Sequence, residues 1–253
     1  MVFYDAHLTY GTPVNVDTAS PLPCHTIGEL DDALDRAGVS GGLVYSLAAD
    51  MSGVVTGNRL LAEDLKTCRS DLYGVYTLVP RFTNEIPSAS DLPDVMKKAR
   101  MAAVRIAPRV HKFLPKAGVL SDYLEMAMEC GIPFVFDTSC GISAEEIYDI
   151  MERFPRLPAI LTMEDIWPTD RMYRPFLAQF PNLMLDLSHM IFAGDMEELV
   201  EQFGAERLLF ASRFPTMYIG GQQLQLRFSQ ISDEDKALIA GGNLRRMIGE
   251  AMK

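Results

Sequence analysis

The sequence is poor in basic residues and in long apolar runs. Its 253 residues include 23 Lys and Arg against 34 Asp and Glu, which gives a formal net charge of −11. Because no basic stripe is available, we expect neither nucleic acid nor an anionic membrane as a partner. No apolar run approaches the ~20 residues of a membrane span. Asp5 and His7 interrupt the first apolar stretch, so we expect no signal peptide.

Cysteine is also scarce, and the spacing of the four cysteines does not indicate a metal site. Cys24, Cys68, Cys130 and Cys140 form no CxxC pair, which gives no support to a zinc ribbon or a redox motif. Reduced thiols in a cytoplasmic protein are therefore expected. Apolar residues make up 48% of the chain, enough for a large core, so disorder is not expected.

Short apolar runs alternate with amphipathic stretches along the chain. Continuous apolar runs of this length are typical of parallel strands covered on their outer face. They predict strands at 2–7, 43–47, 74–79, 103–107, 133–137, 159–163, 183–187 and 207–211. The amphipathic stretches predict helices at Ile27–Ala37, 58–69, 91–100, 119–130, 145–154, 171–180 and 196–203, with a last helix after Ser232.

Eight strands alternating with helices predict a parallel α/β sheet. A closed (β/α)₈ TIM barrel and an open doubly wound sheet both fit this pattern. The length and the strand count favour the barrel, and no GxGxxG follows the first strand, as a Rossmann fold would require. We expect one domain over residues 1–253, with the loop 11–23 covering the top of the barrel.

Function in such a barrel lies at the carboxyl ends of the strands. Side chains alternate along a strand, so the polar residues at these ends can share the inward face. The residues expected to converge there are Asp5, His7, Arg105, Asp137 and Arg213. Cys140 is expected to be an inert thiol, and His189 and His111 are expected to be loop residues.

Seven fragments, in order, resemble the amidohydrolase-related branch of the amidohydrolase superfamily. Phe3-Tyr-Asp-Ala-His7-Leu-Thr9-Tyr-Gly11 resembles the opening IIDxHxHxG, and 203–215 resembles FGxDRLLFGSDFP. The other fragments are 103–108, 131–138, 153–163, 182–188 and Gly242-Asn243. The resemblance implies a metal-dependent-hydrolase-like TIM barrel, and it does not establish an activity.

The departures from the family pattern concern its metal site. The five family ligands, four His and one Asp, correspond here to His7, Thr9, Asp137, Met163 and Arg213. Met is a poor ligand for a borderline divalent cation, and a protonated Arg cannot ligate at all. We therefore expect no metal and no other cofactor.

Three functions remain open. In a pseudoenzyme or binder of a small organic acid, Arg213 would occupy the vacated metal position and hold Asp137 and Asp5. In a metal-independent, lactonase-like hydrolase, the catalytic residues would be His7, Asp137 and Arg213, with His7 as the general base oriented by Asp5 or Asp137. A metal-dependent hydrolase or decarboxylase would need Asp137 and Glu164 as substitute ligands.

The binding residues expected for a small-molecule ligand follow from the same strand ends. Arg105 and Arg213 would grip a carboxylate, and Thr9, Met163 and Glu164 would line the pocket. The superfamily includes a metal-independent lactonase that acts on 2-pyrone-4,6-dicarboxylate. That enzyme is thought to rely on the strand-8 Asp, which is Arg213 here, so the resemblance supports metal independence and not the mechanism. Homo-oligomerisation is compatible with the resemblance, but no motif in the sequence predicts an oligomeric state.

Overall fold

A parallel eight-stranded sheet with its strands in chain order forms the centre of the protein. The computed structural model describes residues 1–12, 24–163, 170–191 and 193–253, so most of the loop expected over the barrel lies outside the described residues. The strands are β1 Phe3–Tyr10, β2 Val39–Ser46, β3 Asp71–Leu78, β4 Met101–Ile106, β5 Phe134–Asp137, β6 Ala159–Thr162, β7 Leu183–Asp186 and β8 Leu208–Leu209.

The helices follow the strands, as the alternating pattern predicted. They are α1 Ile27–Ala37, α2 Ala48–Met51, α3 Val54–Asp64, α4 Leu92–Lys98, α5 Pro108–His111, α6 Ala117–Cys130, α7 Ala144–Arg153, α8 Asp170–Gln179, α9 Asp195–Phe203, α10 Ile219–Phe228, α11 Asp233–Ala237 and α12 Asn243–Ala251. No helix within the described ranges is long and apolar enough to cross a membrane.

The sheet closes on itself through β1. The amide of Ala6 donates to the carbonyl oxygen of Phe210 at 2.9 Å, and the amide of Thr9 donates to that of Phe214 at 3.0 Å. All eight residues of β1 are buried. The predicted (β/α)₈ barrel is therefore confirmed, and β1 is longer than predicted because it pairs on both sides.

Local capping explains the agreement of α1 with its predicted bounds. Thr26 and Glu29 form the expected capping box, and Gly38 ends the helix in the left-handed conformation, with φ 67°. The next long helix was predicted at 58–69, but α3 ends at Asp64. The amides of Arg69 and Ser70 instead donate to the Asp31 carboxylate at 2.8 and 3.0 Å, which fixes a loop before β3.

The eighth strand is shorter than predicted, and a buried amide supports it. Asn243 is fully buried, and its Nδ2 donates to the carbonyl oxygens of Ala205 and Leu208 at 2.8 and 2.9 Å. The Gly242-Asn243 fragment thus fastens the last helix to β8. The helix α10 was not predicted, because the Gly and Gln residues at its start give no clear apolar stripe.

A close approach between α2 and α3 yields a test of the packing. A Cβ on Gly57 would lie 2.1 Å from Cα of Ala49, whereas a Cβ on Gly118 in α6 meets nothing within 4 Å. We expect Gly57→Ala to lower the free energy of unfolding by about 1–3 kcal/mol through overpacking. Gly118→Ala should be neutral or stabilising by up to ~1 kcal/mol. Urea denaturation measures both, and equal effects would contradict the tight contact.

Candidate active site

A buried His–Asp pair lies at the carboxyl ends of β1 and β7. His7 Nδ1 is 2.8 Å from Asp186 Oδ2, and both side chains are almost fully buried. Because a carboxylate accepts, Nδ1 carries a proton, and in the neutral ring Nε2 is the acceptor. Tyr45 Oη lies 3.4 Å from that Nε2. From the sequence, Asp5 or Asp137 was expected to orient His7. The residue that makes this contact is Asp186.

Several donors hold the Asp186 carboxylate in its ionised form. Thr162 Oγ1 donates to Oδ2 at 2.7 Å, and the amide of Ser188 donates to Oδ1 at 2.7 Å. Burial alone would raise the pKa of Asp186, but the hydrogen bond and charge of His7, with the other donors, hold that pKa well below its usual range. The carboxylate is thus a fixed negative charge behind the imidazole.

Asp5 supports the backbone of the same strand end. Its Oδ1 accepts hydrogen bonds from the amides of His7 and Ser212, both at 3.0 Å, while its buried Oδ2 has no hydrogen-bond partner among the described residues. Burial raises the pKa of Asp5 to about 7, even though these donors lower it. Asp5 therefore ties β1 to the segment after β8 and does not meet the Arg213 guanidinium as expected.

The Arg105 guanidinium is neutralised by a residue that sequence reasoning missed. Arg105 is 3% exposed and forms an ion pair with Asp50, in α2 after β2. Its Nε donates to Thr77 Oγ1 at 3.0 Å, and the guanidinium lies 3.9 Å from the centre of the Tyr45 ring. Arg105, which was expected to grip a carboxylate ligand, is therefore already paired with a carboxylate of the protein.

His111 extends this network outward and is not a simple loop residue. It ends α5, its side chain is 9% exposed, and its Nε2 lies 3.1 Å from the carbonyl oxygen of Ala49 and 4.0 Å from Asp50 Oδ1. No sequence signal marked Asp50, which follows β2, or His111, which lies beyond the family-like fragment 103–108. Asp186 did stand at a predicted strand end.

A very small cavity lies among these groups. His7, Tyr45, Arg105, Asp137 and Cys140 line it, and its volume of about 10 Å³ is enough for about one water molecule. Asp137 Oδ1 accepts from the amide of Ser139 at 2.8 Å. Burial raises the pKa of the Cys140 thiol to about 12, so Cys140 stays protonated and unreactive near neutrality.

Arg213 lies apart from this cavity, beside His189. Its Nη1 donates to His189 Nε2 at 2.8 Å, and among the described residues no carboxylate forms an ion pair with it. Burial and the charge of Arg213 lower the pKa of His189, so that imidazole is neutral near pH 7. The predicted contacts of Arg213 with Asp137 and Asp5 are therefore wrong, because the guanidinium meets a neutral ring instead.

The remaining predicted site residues are placed as follows. Thr9 is buried, and its hydroxyl is 3.4 Å from the carbonyl oxygen of Phe214. Met163 is buried immediately after β6. Glu164 lies outside the described residues, so its expected role in ligand or metal binding stays a prediction.

The donor set does not fit the divalent metal that the resemblance implies. Arg213 brings a permanent cation to a ligand position, and Met163 offers only a soft thioether. Within the part of the chain that the structure describes, no group of three His, Cys, Asp or Glu residues is arranged to hold an ion.

The buried ion pair gives a stability test. We expect Asp50→Ala to lower the free energy of unfolding by about 3–5 kcal/mol, because it leaves the Arg105 charge buried and unpaired. Arg213→Ala should cost about 1 kcal/mol, since it removes one hydrogen bond and breaks no ion pair. The paired change Arg105→Met with Asp50→Leu should recover much of the loss. Urea unfolding measures the stability of all three variants. A larger loss of stability in Arg213→Ala than in Asp50→Ala would support the ion-pair network around Arg213 that was expected from the sequence.

Comparison with known proteins agrees with this barrel. The family model described as Amidohydrolase (Amidohydro_2) matches residues 30–249. No curated protein matches the chain. Among solved structures, 5-carboxyvanillate decarboxylase LigW from Sphingomonas paucimobilis has a TM-score of 0.71 at 14% identity, covering 98% of this chain and 99% of that one.

Two further structures show the same likeness. A Pseudomonas putida protein named as a candidate 2-pyrone-4,6-dicarboxylic acid hydrolase has a TM-score of 0.70 at 15% identity and covers 100% and 99% of the two chains. The 4-oxalomesaconate hydratase LigJ from Rhodopseudomonas palustris has a TM-score of 0.67 at 14% identity and covers 98% and 96%. At these identities the structures show the fold alone, and the family match over most of the sequence shows that the chain belongs to the amidohydrolase family.

Proposed function

We propose that this protein binds a small organic carboxylate at the carboxyl ends of β7 and β8, without a divalent metal. The observation that carries the proposal is the state of Arg213. Its half-buried guanidinium donates to a neutral His189 and forms no ion pair with any described carboxylate. A partly buried cation without an anionic partner is unfavourable, and a carboxylate ligand would satisfy it.

A second unmet donor supports the same ligand class. Because His189 Nε2 accepts from Arg213, Nδ1 carries the proton, and this buried atom has no hydrogen-bond partner among the described residues. Arg213 also has a φ of 57°, in the left-handed region that residues other than Gly seldom adopt. A strained residue held beside unmet donors is typical of a ligand site.

The other predicted residues take different roles in this proposal. Arg105 is already paired with Asp50, so we assign it to the structure and assign the anion to Arg213. The cavity beside His7 and Asp137 admits about one water molecule, so we place the organic part of the acid nearer Arg213. Thr9, Met163 and Glu164 remain candidate lining residues.

The named substrates of the similar structures favour the carboxylate class. The proteins in those structures are named for 5-carboxyvanillate, 2-pyrone-4,6-dicarboxylic acid and 4-oxalomesaconate, and each of these is an organic acid. Their fold is shared with this chain at low identity, so we carry over only the general class of ligand.

The binding proposal is tested by calorimetric titration with 2-pyrone-4,6-dicarboxylate, and with benzoate against neutral benzamide, in buffer containing EDTA. We expect the carboxylates to bind and Arg213→Gln to weaken them by about 10–100-fold, the value of a charge-assisted hydrogen bond. Arg213→Lys should recover part of the affinity. Arg59→Gln removes an exposed Arg on α3 and should change nothing.

Equal binding of benzamide and benzoate would overturn the assignment to an anion site. A requirement for added zinc would overturn metal independence. Unfolding curves for each variant separate a lost contact from a lost fold.

A second candidate function is metal-independent hydrolysis, and the His7–Asp186 pair favours it. Asp186 fixes the imidazole with the Nε2 lone pair directed to the region of Tyr45, and the adjoining cavity has room for about one water. In this reaction His7 Nε2 would take a proton from the water that attacks a lactone or ester carbonyl. Asp186 would stabilise the imidazolium that forms.

Hydrolysis is tested by following the ring opening of 2-pyrone-4,6-dicarboxylate in the ultraviolet, with EDTA present. If the chain is a hydrolase, His7→Asn and Asp186→Asn should each lower kcat by about 10²–10⁴-fold while ligand binding persists. Tyr45→Phe should have a smaller effect, because a ring without a hydroxyl still packs on Arg105. Binding without turnover in the native protein would exclude this activity and leave the binder.

A further inference from the structure

A buried side chain of α10 contacts the turn that carries His189. Gln222 is 8% exposed, and its Nε2 donates to the carbonyl oxygen of Ser188 at 2.8 Å. Because that carbonyl oxygen can only accept, the side-chain amide of Gln222 must present its nitrogen to it. Ser188 is fully buried, so this hydrogen bond satisfies a peptide oxygen that water does not reach.

Two backbone amides fix the ends of the same turn. The amide of Met190 donates to the carbonyl oxygen of Leu187 at 3.0 Å, which makes Ser188 and His189 the central residues of a β-turn. The amide of Ser188 donates to Asp186 Oδ1 at 2.7 Å. Neither hydrogen bond involves the peptide group between the two central residues, and the orientation of that group is what differs between turn types.

The orientation of this central peptide group sets the position of the His189 ring. Its rotation changes ψ of Ser188 and φ of His189, and the imidazole moves with its own backbone. The hydrogen bond from Gln222 opposes that rotation, because turning the carbonyl group away would leave a buried acceptor and a buried donor unpaired. The ring is thereby kept where its Nε2 accepts from Arg213 Nη1 at 2.8 Å.

The backbone of Arg213 is fixed separately, by β1 and by its own turn. The amide of Ser212 donates to Asp5 Oδ1 at 3.0 Å, and the carbonyl oxygen of Arg213 accepts from the amides of Thr216 and Met217 at 3.0 and 3.2 Å. These hydrogen bonds place the guanidinium but not the imidazole. The contact between the two groups therefore depends on the turn after β7.

We propose that Gln222 is a positioning residue for the carboxylate site, in which its hydrogen bond to Ser188 holds His189 against Arg213. This inference rests on the proposed function, in which the guanidinium and the imidazole face the same ligand. Gln222 acts on that ligand through the turn. A neutral amide can fix the turn without adding an anion that would compete with a carboxylate for the guanidinium.

Gln223, the next residue of α10, offers a matched control. It is 7% exposed, and its Nε2 donates to the carbonyl oxygen of Ala37, at the end of α1, at 3.0 Å. Consecutive residues of a helix point about 100° apart. The two Gln side chains therefore share their chemistry and burial, but Gln222 contacts the turn after β7 and Gln223 contacts α1.

The experiment compares Gln222→Met with Gln223→Met in the intact protein labelled with ¹⁵N-histidine, at neutral pH and without ligand. Each change keeps the length of the side chain and removes the donor to one backbone carbonyl, so both should lower the free energy of unfolding by similar amounts. Gln222→Met alone should move the His189 Nε2 resonance toward its position in Arg213→Met, which lacks the donor. His189→Gln identifies this resonance by its loss.

The same variants are titrated with benzoate in buffer containing EDTA. We expect Gln222→Met to weaken benzoate binding by about 3–10-fold, the value of one neutral hydrogen bond from the His189 ring, and Gln223→Met to leave it unchanged. Gln222→Asn keeps the amide on a shorter side chain and should change the resonance and the affinity less, in the same direction. It is measured against Gln223→Asn if Gln222→Met does not fold.

The possible outcomes separate this inference from the function on which it rests. An unchanged His189 resonance in Gln222→Met would overturn the inference, whether or not benzoate binds. Equal shifts in the Gln222 and Gln223 variants would also overturn it, since they would reflect a displaced helix, and so would a moved resonance with unchanged benzoate affinity. If the native protein binds no carboxylate while the resonance moves as expected, the proposed function fails and the placement of His189 by Gln222 stands.

Discussion

Burial of the Arg105 guanidinium is the constraint on which the carboxyl face of this barrel depends. A charge that is 3% exposed requires a partner, and Asp50 provides it from α2, the short helix after β2. Thr77 and Tyr45 add a hydrogen bond and a stacked ring, so β2, β3 and β4 are tied to one cation. The close contact of α2 with Gly57 then sets where Asp50 can stand.

This local neutralisation determines which charges remain available to a ligand. His7 is paired with Asp186, and Arg105 is paired with Asp50, so neither of these two interior groups is left for a ligand. Arg213 has only a neutral imidazole beside it among the described residues. In the proposed function, the cation that stands where the family uses an Asp both disfavours a metal and attracts an anion.

The sequence predicted the barrel well because its signals are local and repeated. Apolar runs, the Thr26 capping box and the glycine after α1 act within a few residues, so strand order and most helices followed. The partners of the site residues were harder to predict from the sequence. Strand alternation predicts which side chains face inward, but it does not predict which residue each of them contacts. Asp186 was recognisable at a strand end, whereas Asp50 comes from a short helix with no sequence signature.

The two halves of the carboxyl face differ in chemistry for one physical reason. On the side of β2 to β4 the charges are compensated, so an apolar pocket can form beside His111 without burying a net charge. On the side of β7 and β8 the Arg213 guanidinium has no ion-pair partner among the described residues, and an apolar ligand would leave it desolvated and unpaired. In the proposed function, loss of the Asp50 charge would free Arg105 and move the preference for anions toward the centre of the barrel, so the Asp50 carboxylate confines that preference to Arg213.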